Sequence, residues 1–145
     1  MSQRHPIQND VTMLITIVTM SRNPVFIHDC NAREAIETLY RVQDLHPFFL
    51  YGFVIMPDHL HILLKILPPG SVSKIIGSFK SNTTRNLGLH QLWQERFHIK
   101  EIKNRSAALH YIHANPVKAG LVQIPDSYAW SSASGKWDIS SLDEW

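Results

Sequence analysis

FFLYGFVIMPDHLHILLKI, residues 48–66, is the stretch whose reading decides the fold. Two apolar runs, rich in aromatic and β-branched residues, flank Pro57-Asp58, a pair that favours a tight turn. Each run has the length of a strand and is too short to cross a bilayer. The stretch therefore predicts an antiparallel hairpin. In its second arm His59 and His61 stand two apart. On a strand they share one face, while Leu60 and Ile62 take the other. Residues i and i+2 on a strand lie roughly 6.5 Å apart, close enough for two imidazoles to meet one ion. Two interior histidines satisfied by hydrogen bonds fit the same pattern, so the pair alone does not choose. Asp58 reads first as a turn residue and second as a partner for an imidazole.

Outward from the hairpin the hydrophobic period alternates. VTMLITIVTM (11–20) reads as a strand. Residues 31–46 carry Ala32, Ala35, Ile36, Leu39 and Tyr40 at helical spacing, with Glu37 and Arg41 as an outer i,i+4 pair. Pro68-Pro69-Gly70 breaks the chain. Ser71 can cap a helix whose apolar stripe is Val72, Ile75, Ile76 and Phe79. Asn86-Leu87-Gly88 supplies its stop. Residues 92–102 read as a fourth strand. Asn104 or Ser106 can cap a third helix through Leu109 and Ile112. The order β-α-β-β-α-β-α predicts an α+β, ferredoxin-like split βαβ fold: an antiparallel sheet of four to five strands with helices on its faces. A chain of 145 residues fits one domain, with an ordered core over about 11–132 and irregular termini at 1–10 and 135–145.

Composition narrows the function. The single Cys30 excludes an internal disulfide and a cysteine-based zinc site, and points to the cytoplasm. The run 11–20 follows Asp10, is interrupted by threonines and lacks a small-residue cleavage site, so it is not read as a signal peptide. Net charge is +2, but its distribution is uneven. Residues 65–120 hold nine Lys or Arg against two acids, a net of +7, while the remainder holds five against ten. A basic half suits an anionic partner, nucleic acid first. Solvated basic helix faces are the plainer account of the same charges.

A second motif is ALHYIHANPVKAGLV, residues 108–122. On a continuous helix Tyr111 and Asn115 share a face, with Leu109 and Ile112 turned more toward the core. Pro116 removes a helix donor and disfavours helical geometry at Asn115, so the helix is expected to kink or end there. Lys118 follows one turn on.

Taken together, HLH after a strand and turn, WQERF (93–97), the YIHANPVKAGLV block and the trailing YAWSS (128–132) resemble the REP-associated tyrosine transposases. These belong to the HUH superfamily of single-strand DNA nucleases and are relatives of the small single-tyrosine insertion-sequence transposases. The resemblance runs from about Leu14 to Ser132. It implies that His59 and His61 are metal ligands, that Tyr111 is the nucleophile, and that Asn115 is a third, oxygen-donating ligand. The implied cofactor is a divalent metal, Mg²⁺ or Mn²⁺. The implied reaction is cleavage and rejoining of single-stranded or hairpin DNA through a 5′-phosphotyrosine, the covalent link conserving the phosphodiester energy. Lys80, Arg85, Lys100, Lys103, Arg105 and Lys118 are the candidates for holding the DNA backbone. Trp93 and Phe97 read as packing residues before base-stacking ones. Relatives include both monomers and dimers that exchange the tyrosine helix, so a homodimer stays open. The rival readings are a non-catalytic nucleic-acid-binding protein on the same fold, a replication-initiator or relaxase-type HUH nuclease, and a metal-dependent hydrolase of small phosphoesters.

Overall fold

The computed structural model describes residues 11–144; the irregular stretch expected at 1–10 lies outside them. Element order is β1 (Thr12–Val18), α1 (Asp29–Leu45), β2 (Phe48–Met56), β3 (His59–Ile66), α2 (Val72–Asn86), β4 (His98–Ile102) and α3 (Arg105–Lys118). The four strands form one antiparallel sheet in the order β2-β3-β1-β4, the split βαβ arrangement.

The pleat sorts the side chains between two layers. Met13, Ile15, Ile17, Leu60, Ile62, Leu64 and Ile66 face α1 and α2, which contribute Ala35, Ile36, Leu39, Ile75, Ile76 and Phe79 to the main core. The opposite face carries Leu14, Leu63, Val54 and Met56 and is covered by Ala108 and Ile112 of α3. His59 and His61 belong to this second face. In β2 the register shifts between Leu50 and Gly52, making Tyr51 an extra residue. The bulge resets the alternation, so Phe48, Leu50, Phe53 and Ile55 all reach the main core. It also leaves Gly52 beneath α3, where a β-carbon would lie 2.2 Å from Leu109 Cδ1. With Leu109 in this rotamer, a residue without a side chain is what admits the helix at this distance.

The caps form at the expected ends. Ser71 Oγ accepts from Lys74 N at 3.3 Å and Asn104 Oδ1 from Ala107 N at 3.0 Å. Gly88 takes φ 68° just past α2. Two expectations are corrected. The fourth strand is shorter, His98–Ile102, because Trp93 and Phe97 turn into the core: Trp93 stacks on Phe26 at 5.4 Å and donates to Thr83 Oγ1 at 2.9 Å. And α3 neither kinks nor ends at Asn115. Pro116 sits in the last turn, where little helix remains to be disturbed, and the carbonyls of Asn115 and Pro116 accept from Ala119 N and Leu121 N, each at 2.9 Å.

Residues beyond α3 are irregular but packed. Ile55 N donates to Trp130 O at 2.8 Å and Ser140 N to Leu50 O at 2.7 Å, so the tail covers the edge of β2. No helix among the described residues is long and apolar enough to cross a membrane.

Candidate active site

Antiparallel register builds the site. Thr16 of β1 pairs with His61 of β3 and with His98 of β4, and Val54 of β2 pairs with His61 from the other side. One cross-strand row on the α3 face therefore holds an imidazole beside a hydroxyl. The His59 and His61 ring centroids are 5.0 Å apart, edge to face.

Each ring has a partner at Nδ1. His61 Nδ1 lies 2.8 Å from Thr16 Oγ1, and His59 Nδ1 lies 2.7 Å from Asp58 Oδ1. His61 is 7% exposed; burial and the neighbouring His59 push its pKa down to about 4, which keeps the ring neutral through the physiological range. Burial opposes the charge of Asp58, but hydrogen bonds from His59 and Arg22 prevail and hold its carboxyl below the usual range. Among the described residues no group of three or more His, Cys, Asp or Glu side chains is placed to hold a metal. The imidazole pair alone therefore supplies two nitrogen donors, with no third side chain of these types beside it among the described residues. Two imidazole nitrogens with room for oxygen ligands are a donor set that suits Mn²⁺ well and Mg²⁺ less so.

Tyr111 meets this pair within the same chain. Its ring centroid is 5.9 Å from that of His61, and the side chain is 48% exposed. The continuous helix puts Asn115 on the same side, where its Nδ2 donates to Tyr111 O at 3.2 Å, a bond that uses the amide nitrogen and not its oxygen. Lys118 Nζ stands 5.6 Å over the Tyr111 ring. Two contacts fix the helix over the sheet. Ile112 is fully buried against β2 and β3. His113 Nε2 lies 2.7 Å from Ser132 Oγ, and that oxygen also donates to Phe53 O and accepts from Phe53 N.

A groove of about 760 Å³ opens beside His61 and Tyr111. Leu14, Ile102 and Ala108 make its apolar part; Lys100, Lys103 and Asn104 bring polar groups to it. The basic candidates separate accordingly. Lys100 and Lys103 are exposed on this groove, and Lys118 stands beside Tyr111. Lys80 and Arg85 lie elsewhere, along a second groove on α2. Lys80 Nζ already donates to Gln94 O and Glu95 O at 2.8 and 2.9 Å. Arg105 departs from the expectation of a DNA-facing cation. It is buried, donates to Thr12 Oγ1, Leu142 O and Glu144 O, and packs 4.3 Å from the Tyr51 ring centroid. Its charge serves the joint between α3, β1 and the tail. Thr16 and Arg22 were not singled out from sequence. Thr16 was legible in principle, since Thr12 and Thr16 share one face of their strand. Arg22 was not, because only the folded loop carries it to Asp58.

Comparison with known proteins bears on the family and the fold. Residues 8–115 match the family described as "Transposase IS200 like". The chain is 31% identical over 99 residues to a REP-associated tyrosine transposase of Escherichia coli K12, an alignment that covers 65% of this chain and 59% of that protein. The chain thus spans about three fifths of that relative's length. It is 27% identical over 135 residues to a Haemophilus influenzae protein provisionally given the same name, covering 81% of this chain and 76% of the other. The solved structure of a REP-associated tyrosine transposase bound to a REP hairpin superposes with a TM-score of 0.78 at 23% identity, over 99% of this chain and 93% of that one.

Proposed function

The chain belongs to the IS200-like transposase family, and from that premise we propose that it is a single-strand DNA endonuclease and strand transferase whose nucleophile is Tyr111. The observation that carries the reading is the meeting of the Tyr111 ring with the His59–His61 pair in one chain, at the head of a groove with basic residues on it. That meeting also favours action in cis, without exchange of α3 between two copies.

In the proposed reaction the Tyr111 oxygen attacks the scissile phosphorus. The bond from phosphorus to the 3′ oxygen breaks, the phenolic proton passes to solvent, and the departing 3′ oxygen takes a proton. The products are a 5′-phosphotyrosine and a free 3′-hydroxyl. Attack on phosphotyrosine by another 3′-hydroxyl restores a phosphodiester and releases the tyrosine. His59, His61 and Asn115 would hold a divalent ion, Mg²⁺ or Mn²⁺, which when bound supplies Lewis-acid stabilisation at the phosphate oxygens. The neutral state of His61 suits it to donate a lone pair. Rigid attachment of α3 through Ile112 and His113 keeps the nucleophile oriented. Lys100, Lys103 and Lys118 are the residues we assign to the sugar–phosphate backbone, and a hairpin is the substrate class suggested by the solved transposase bound to a REP hairpin.

The test is incubation of the whole chain with labelled single-stranded hairpin oligonucleotides and Mn²⁺, followed by a denaturing gel. The expected result is a covalent protein–DNA adduct that EDTA prevents. Hairpin binding without any adduct would instead favour a binding protein on the same fold.

A further inference from the structure

We infer that Asp58 is a positioning residue that sets the tautomer of His59, leaving its Nε2 as the donor atom of the site. The inference builds on the proposed metal-binding reading for its consequence, but the assignment of the proton stands on the geometry of three side chains.

An ionised carboxylate accepts hydrogen bonds and donates none. With Asp58 Oδ1 at 2.7 Å from His59 Nδ1, the nitrogen must be the donor. A neutral imidazole carries one N–H, so Nε2 is left with its lone pair. His61 differs. Its Nδ1 partner is the hydroxyl of Thr16, which can donate or accept, so either tautomer is compatible with that contact. One ring of the pair is preset and the other can adapt.

Asp58 is held so that it cannot turn away. Its main-chain carbonyl accepts from both Thr19 N and Thr19 Oγ1 at 3.0 Å, and the preceding Pro57 carbonyl accepts from Phe26 N at 3.0 Å. The turn between β2 and β3 is thereby tied to the chain leaving β1. The second carboxylate oxygen accepts from Arg22 NH1 at 3.1 Å. Arg22 reaches it from an unusual backbone: Ser21 and Arg22 take φ of 54° and 53°, left-handed values that residues with a β-carbon adopt at a cost. The Thr19 hydroxyl also lies 2.8 Å from Asn23 O, so its one proton is shared between the Asp58 and Asn23 carbonyls and closes this bend. Strain that persists beside a candidate metal ligand fits a part played in the site. A carboxylate behind a ligating histidine commonly orients it, and its loss weakens metal affinity roughly ten- to hundredfold.

The experiment is long-range ¹H–¹⁵N NMR on the whole ¹⁵N-labelled chain at a pH where imidazole is neutral, without metal. Binding of Mn²⁺ is followed separately by the electron paramagnetic resonance of the free ion. In the wild type, His59 is expected to show a protonated Nδ1 and an unprotonated Nε2. Asp58→Ala should move the proton toward Nε2 and weaken Mn²⁺ binding roughly ten- to hundredfold. Arg22→Ala, which spares the carboxylate, should keep the wild-type signature. A wild-type His59 protonated at Nε2 overturns the inference, as does an Asp58→Ala spectrum unchanged at His59. The same shift in Arg22→Ala as in Asp58→Ala also counts against it, since the carboxylate would not then be the cause. The expected tautomer in a wild type that binds no Mn²⁺, even with hairpin DNA present, would support the role of Asp58 and remove the metal reading of the site.

Discussion

The Tyr111 ring lies 5.9 Å from the His61 ring, centroid to centroid, although the whole of α2 and of β4 intervenes in the chain. The contact is between rings, so the hydroxyl and the packing can be separated by mutation. Tyr111→Phe keeps the ring and removes the nucleophile. Adduct formation should fall to background while hairpin affinity is retained. Because the side chain is half exposed, stability should stay within about 0.5 kcal/mol of wild type. Residual adduct in this variant would show that another residue is the nucleophile.

Gly52 tests whether the seat of α3 controls the site. A methyl group at this position meets Leu109 Cδ1 at 2.2 Å and Ser132 Oγ at 3.1 Å. Leu109 must change rotamer or α3 must lift, and either disturbs the helix two residues before Tyr111. Gly52→Ala should cost about 1–3 kcal/mol in urea unfolding and slow adduct formation. Adding Leu109→Ala relieves the clash, so the double variant should be less destabilised than the sum of its parts. Additive losses would mean that the helix and the bulge do not bear on each other.

These two contacts show where sequence reasoning reached and where it stopped. The hairpin was legible to the residue because two apolar runs of strand length flank the turn pair Pro57-Asp58, and the caps at Ser71 and Asn104 followed from local chemistry. The two motifs that the fold brings together, HLH and the tyrosine helix, were each visible in the sequence. The bulge at Tyr51 was not, since one extra residue leaves a fully apolar strand looking unchanged. Trp93 and Phe97 left the fourth strand for the core, a tertiary demand that overrides strand propensity. Pro116 misled because its cost depends on how much helix follows, and only one short turn does. Arg105 misled for the opposite reason: a cation placed by composition on a basic surface is turned inward by carbonyls of the tail, far along the chain.

The tail itself has an alkaline signature. Tyr128 OH donates to Ile55 O at 2.6 Å, and burial first, with Asp29 second, pushes its pKa up to about 12 from a usual 10. Tyr40, whose hydroxyl donates to Asp138 O, is also raised to about 12 by burial and by Asp138. The folded state keeps phenolic protons that the unfolded chain releases. Their stabilisation is therefore full below pH 10 and is lost as pH rises from 10 through about 12. Tyr128→Phe should cost about 1 kcal/mol at neutral pH through the lost hydrogen bond. It should also remove part of the loss of stability across that alkaline window, leaving the shares of Tyr40 and of Tyr51, which burial raises as well. Denaturant unfolding at pH 8 and pH 11 decides it; an unchanged pH dependence would show that Tyr128 ionises as freely folded as unfolded.

The division of the basic residues predicts two distinct kinds of defect. Lys100 and Lys103 are exposed on the groove that leads to His61 and Tyr111, whereas Arg105 is buried at the start of α3. If the groove carries a single strand, each of Lys100→Ala and Lys103→Ala should reduce the salt dependence of hairpin binding by about 0.7 in the slope of log K against log salt concentration, one phosphate contact apiece. Neither should change stability by more than about 0.5 kcal/mol. Arg105→Ala should do the reverse. It removes charge-assisted bonds to Thr12, Leu142 and Glu144 and should cost roughly 1.5–3 kcal/mol, with the salt slope of the folded fraction unchanged. Binding titrations across a salt series, paired with urea unfolding of the same samples, separate the two classes. A wild-type slope in both lysine variants would move the DNA path off this groove, and the second groove on α2, where Lys80 and Arg85 stand, would be the surface to mutate next.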